Sequence, residues 1–173
     1  MTNIIYHADC LRVLDVIPEG SVDLIYIDPP FNEKATVNYK RKKGVGKDEK
    51  VLSEMEYKDA RKDYFEFMER CLYGAHRVLK PNGSIYVHMG VRYGYKVRAI
   101  MDQVFGEDNF LNEVVWSWDY GGRSKKLWSN KHDNIYYYAK DKKHYTFNYG
   151  TWIGYRIWLR AWRVRKRLNG ERP

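Results

Sequence analysis

One segment limits the fold of this chain more than any other. The apolar, β-branched run Val22-Asp23-Leu24-Ile25-Tyr26-Ile27 ends abruptly in Asp28-Pro29-Pro30-Phe31-Asn32. A nearly uninterrupted apolar run of this length reads as a buried parallel strand. Proline has no N–H for a ladder, so two in succession stop the strand at Asp28. The result is a carboxylate, stiff backbone carbonyls and an aromatic ring at a strand's carboxyl end. Open α/β sheets bind their ligands there.

Such a site suits methyl transfer to an exocyclic amino group. The N6 lone pair of adenine is delocalised into the ring, which makes the nitrogen a poor nucleophile. The Asp28 carboxylate and the Pro29 carbonyl can accept its two N–H bonds, localising the lone pair and aiming it at an electrophilic methyl. The stiffness of Pro29 and Pro30 keeps those acceptors in place. Phe31 is placed to stack on a base that has left its duplex. The plain alternative is a strand-ending turn in which Asp28 caps the next segment.

The rest of the chain alternates strands with helices, an α/β doubly wound pattern. Expected are a strand at Ile4–His7, a helix over 9–17, the strand 22–28, and a polar loop over 32–52. That loop holds Lys40, Arg41, Lys42 and Lys43; its length favours a lid over DNA or a solvated segment. Ser53 to Lys80 reads as helix, one long or two broken, with Ser53 and Glu56 as a capping box. Its apolar stripe comprises Tyr57, Tyr64, Phe67, Met68, Leu72, Ala75 and Val78. Strands at Ser84–His88, Val114–Tyr120 and Ile135–Ala139 and a helix at Tyr95–Phe105 complete the set. Between the last two strands, Gly121 to Lys131 interleaves Arg123, Ser124, Lys125 and Lys126 with glycine and Trp128. That composition favours contact with phosphates and a splayed strand, with an ordinary exposed loop as the alternative. It should emerge near the Asp28 end of the sheet.

Asp28-Pro29-Pro30-Phe31 resembles the D-P-P-[YF] signature of DNA amino-methyltransferases. The surroundings resemble the group in which this half of the site precedes the methionine side of the cofactor site. Tyr6-His7-Ala8-Asp9-Cys10-Leu11 is similar to the family's Y-x-G-D-C-L opening, with Ala8 where glycine is usual. Arg77 to Ser84 resembles the turn before the next strand, and Lys131-His132-Asp133-Asn134-Ile135 the K-H-D-x-I entry to a later one. The resemblance covers residues 3 to 148, and the order and spacing of these motifs carry it. It implies a Rossmann-like, mostly parallel sheet and S-adenosylmethionine as cofactor. Asp9, Cys10 and Asp28 then fall on the cofactor, with Asp9 accepting from its adenine amino group; a helix N-cap is the alternative for Asp9. It also implies DNA as substrate, with adenine N6 preferred over cytosine N4 because the first motif position is aspartate. RNA or protein-amide methylation and a non-catalytic DNA-binding remnant are the competing readings. The family's F-x-G-x-G turn for the methionine portion has no counterpart in this sequence.

Composition bounds the remaining classes. At 173 residues the length fits one domain. No apolar run is long enough for a membrane span, and no secretory leader is recognisable, so a cytoplasmic protein is expected. Cys10 and Cys71 are far apart and read as reduced thiols; neither cysteines nor histidines cluster for a metal. The net charge of +9 invites a nucleic-acid partner. Two thirds of that excess lies in residues 149–173, however, which hold seven of the basic residues and one acid.

Residues 1–148 therefore read as the catalytic half of a methyltransferase, with a target-recognition segment near 111–134. Residues 149–173 read as an atypical Arg/Trp-rich tail. From Trp152 on, synonymous codons re-divided by one base can spell the family's D-R-I-P-Y-M-A-P-G-L continuation. This points to a frameshift near Gly150. The oligomeric state is not legible.

Overall fold

The computed structural model describes residues 3–32, 37–43, 50–57, 61–120 and 125–148. Helix α1 (Cys10–Val16) precedes strand β1 (Val22–Ile27). A hairpin follows, β2 (Val37–Lys43) antiparallel to β3 (Lys50–Tyr57). Then come α2 (Tyr64–Val78), β4 (Leu79–Gly90), α3 (Val91–Phe105), β5 (Phe110–Ser117) and β6 (His132–Ala139). β1, β4, β6 and β5 form one sheet in that order.

The helical apolar periods are built as expected. Met68, Leu72, Ala75 and Val78 of α2 are buried, as are Val97, Met101 and Phe105 of α3. They meet Ile85, Val87, Met89, Tyr136 and Tyr138 from one face of the sheet, giving a single apolar core. Gly94 lets α3 close on β6, since a Cβ there would lie 2.6 Å from the Tyr136 hydroxyl. Gly83 serves a bulge. β1 pairs Val22 with Leu79 and then Leu24 with Ser84, so Lys80–Gly83 loop out opposite Asp23. A Cβ at Gly83 would press on the Asp23 carbonyl at 3.1 Å.

The sheet is mixed α/β: β1, β4 and β5 run in one direction, as a mostly parallel sheet requires, and β6 runs against its neighbours β4 and β5. β5 and β6 are neighbours joined directly, and a direct return forces antiparallel pairing. Three expectations are corrected. The sheet is not covered by helices on both faces among the described residues. Leu24 and Tyr26 are 59% and 56% exposed, so β1 is an edge strand with one wet face, not a fully buried one.

The other two corrections concern segments. Ile4–His7 joins no strand ladder, and Ile5 is almost fully exposed. The helix expected from Ser53 begins only at Tyr64; Ser53 to Tyr57 belong to β3, so there is no capping box. Glu54-Met55-Glu56-Tyr57 alternates with period two, a short strand pattern that outweighs the helical steps. Within the expected 32–52 loop, residues 37–43 and 50–52 are thus strand, with Lys40 to Lys43 on β2. Residues 149–173 lie outside the described residues.

Candidate active site

The site is assembled at the carboxyl end of β1. Asp28 follows the last paired residue, Ile27, which is registered with Val87 of β4. Pro29 is buried, while Asp28 and Pro30 remain exposed. Asn32 takes a positive φ of 58°, which asparagine tolerates. Its Oδ1 accepts from the Arg61 backbone N–H at 2.8 Å. That bond ties the end of the motif to the approach to α2. Phe31 is half-buried against the core, edge-on to the His88 ring at 5.5 Å.

A cavity of about 410 Å³ opens beside this turn. Asp28, Pro29 and Pro30 form one wall, Tyr6 and Cys10 a second, and Phe67 of α2 a third. The lining is mainly apolar with a few polar groups at its rim, as small-molecule sites usually are. Of the residues expected on a cofactor, Cys10 and Asp28 line it. Asp9 caps α1 instead, its Oδ1 accepting from the Leu11 N–H at 2.9 Å. The expected alternative for Asp9 is therefore realised in the structure.

Two cysteines far apart in sequence meet here. Cys10 Sγ lies 3.5 Å from Cys71 Sγ, with Cys10 exposed and Cys71 buried. Burial first, then the bond to Cys10, pushes the Cys71 thiol up to about 12. Thiolates are the reactive form. An alkylating reagent should therefore modify Cys10 well before Cys71, readable as stepwise mass gain and peptide mapping; equal rates would contradict this burial.

The connector between β5 and β6 leaves the sheet at the same end as Asp28. β4 runs parallel to β1, and Gly90 of β4 pairs with Asp133 at the start of β6. Ser117 at the end of β5 pairs with His132. Lys125 and Lys126 are exposed on that connector; Arg123 and Ser124 lie outside the described residues.

Sequence reasoning missed His88. Its Nδ1 is 3.2 Å from the Tyr26 hydroxyl and 3.6 Å from Asp28 Oδ1, and its Nε2 is 3.4 Å from Asp133 Oδ2. Burial, and then the Asp28 charge, raise the Tyr26 phenol above its ordinary value. The only sequence signal was register: a strand parallel to β1 and ending beside it sets residue 88 next to residue 28. Among the described residues no His/Cys/Asp/Glu group could hold a metal ion, and no helix is long and apolar enough to cross a membrane.

A sequence profile of DNA methylases matches residues 22–155. The chain belongs to the N6-adenine/N4-cytosine DNA methyltransferase family. It is 34% identical over 146 residues to the DNA adenine methyltransferase YhdJ of Escherichia coli, covering 83% of this chain and 43% of that protein. It is 30% identical over 142 residues to the type II methyltransferase M.HpaI of Haemophilus parainfluenzae, covering 82% and 40% respectively. The chain thus spans well under half the length of these relatives.

The fold has the same standing. The solved PvuII DNA methyltransferase, which is cytosine-N4-specific, superposes with a TM-score of 0.53 at 18% identity. The match covers 79% of this chain and 49% of that one. This family is S-adenosylmethionine-dependent.

Proposed function

We propose that this chain carries the base-accepting half of a DNA amino-methyltransferase site, using S-adenosylmethionine and preferring adenine N6. The observation that carries the proposal is Asp28-Pro29-Pro30 on the rim of the cavity between β1, α1 and α2. Asp28 and the Pro29 carbonyl accept the two amino hydrogens of a flipped base, and Phe31 stacks beside it. The amino nitrogen gains electron density as these bonds strengthen, which lowers the barrier to attack on the sulfonium methyl. No strong base would be required: the neutral nitrogen would form its bond to the methyl as the C–S bond breaks and the sulfide leaves, and the resulting cationic amino group would release its proton to the Asp28 carboxylate or to water. Cys10 and Asp28 line the side from which the cofactor enters, and the second carboxylate oxygen of Asp9 is left for its adenine amino group. Lys40 to Lys43 and the 121–131 connector supply phosphate contacts. Residues 111–134 are the target-recognition segment, and 149–173 an out-of-frame tail, which the codons of that span decide.

The test is transfer of a tritiated methyl from S-adenosylmethionine to duplex DNA, with RNA and a glutamine-containing peptide in parallel. Label is expected in DNA as N6-methyladenine. Label in RNA or peptide, or none in DNA at high cofactor concentration, overturns the reading. Because the sequence has no F-x-G-x-G turn, the cofactor is expected to bind weakly. A micromolar dissociation constant in isothermal titration would show that other residues replace that turn.

A further inference from the structure

We infer that His88 is the positioning residue for Asp28, and that Asp133 holds it in place from the far side. The inference rests on the methyl-transfer reading of Asp28 and adds a residue to it. His88 is on β4, Asp28 follows β1 and Asp133 opens β6. Three consecutive strands of the sheet thus meet at one imidazole. The two motifs that stood out in the sequence, around Asp28 and around Asp133, have no residue in common; His88 joins them.

The geometry carries the assignment. The His88 side chain is 19% exposed and Asp133 is 20% exposed, whereas Asp28 is 63% exposed. A carboxylate that open to water samples several rotamers unless a neighbour restrains it, and His88 Nδ1 at 3.6 Å is in place to do so. The opposite ring atom, Nε2, is buried and makes no well-formed hydrogen bond, yet the Asp133 carboxylate lies 3.4 Å away. Ionised carboxylates only accept, so each ring nitrogen satisfies the oxygen facing it by carrying a hydrogen. A hydrogen on Nδ1 faces Asp28, whereas a ring that carries its hydrogen on Nε2 alone accepts at Nδ1 from the Tyr26 hydroxyl at 3.2 Å and leaves Asp28 unheld. The Phe31 ring stands edge-on to the same imidazole at 5.5 Å. His88 therefore sets both the acceptor and the stacking face offered to the base.

Two readouts test this, and they separate the His88 assignment from the activity itself. Long-range proton–nitrogen NMR of the full chain reports the two His88 ring nitrogens separately. Asp28→Asn should then move mainly the Nδ1 resonance and Asp133→Asn mainly Nε2. Asp23→Asn, at the opposite end of β1, should move neither. Resonances unmoved by Asp28→Asn would overturn the inference, whether or not the chain turns over.

Where the chain methylates DNA, His88→Phe keeps the packing against Phe31 but removes both donors. It should lower kcat by about 10- to 100-fold, with the KM for cofactor unchanged. His88→Gln, which regains a donor, should recover part of the loss. A His88→Phe protein with wild-type kcat would equally overturn the assignment. Absence of turnover in the wild-type chain would count against the functional reading alone, leaving the NMR result to judge His88.

Discussion

Replacing Asp28 by alanine should lower methyl incorporation into duplex DNA on the order of 100- to 1000-fold, the scale of losing one preorganised polar contact to a developing charge. The reasoning is electrostatic. Methyl transfer leaves positive charge on the amino nitrogen and its hydrogens. An anion beside those hydrogens is worth more in the transition state than with the neutral base, so its loss falls on kcat. Asp28→Asn retains one accepting oxygen without the charge and should fall between the two. DNA affinity should change little, because it comes mainly from phosphate contacts.

Stability should also hold. Asp28 is open to solvent and its ion-pair partner, His88 Nδ1, is 3.6 Å away, a pairing too exposed for its loss to move stability much. Far-UV circular dichroism and filter binding run on the same preparations separate a chemical defect from an unfolded protein. Wild-type turnover in Asp28→Ala would remove this residue from the reaction.

The Asp28 corner was legible because its signals are local and steric. Proline cannot extend a ladder, so the end of β1 could be placed from the sequence alone. The strand alternation and the helices α2 and α3 followed from burial periodicity. The connector's exit at the Asp28 end followed from strand direction. What failed depended on pairing between distant residues. A βα alternation does not say which strands return directly, so it leaves the insertion of β6 between β4 and β5 unplaced. The β2–β3 hairpin hid in a polar stretch whose strand signal is a short alternation beside a strong helical stripe. Ile4–His7 has strand composition, but composition cannot supply a partner. Asp9 had two readings from sequence, and its bond to the Leu11 N–H is the one observed. His88 and the Cys10–Cys71 contact are created by tertiary register, with no motif to announce them.

The largest stability effect is expected on the opposite side of the core, at Tyr138. This residue is fully buried on β6, its ring against Phe105 of α3 at 5.9 Å and Phe110 of β5 at 5.3 Å. Its hydroxyl donates to Asp102, which also receives the Arg98 guanidinium at 3.2 Å, and that guanidinium lies 3.5 Å over the Phe110 ring. One side chain thus fastens α3, β5 and β6 together. Tyr138→Ala removes the ring and leaves a cavity, costing about 4 kcal/mol. Small domains hold only about 5–15 kcal/mol in total. A chain with an exposed β1 edge should therefore be largely unfolded by this change, as urea titration followed by circular dichroism would show.

Tyr138→Phe keeps the ring and loses one hydrogen bond to a partly solvated acid, costing about 1 kcal/mol. Alkaline pH isolates the same bond. Burial first, and then Asp102, raises the folded-state phenol well above its ordinary 10.0. The contribution is therefore complete below that value and is lost as pH rises past it, because the unfolded chain ionises there first. Tyr138→Phe should unfold less steeply with alkali than the wild type. Equal alkaline slopes, or Tyr138→Ala within about 1 kcal/mol of wild type, would mean that this residue does not dock the antiparallel half onto α3.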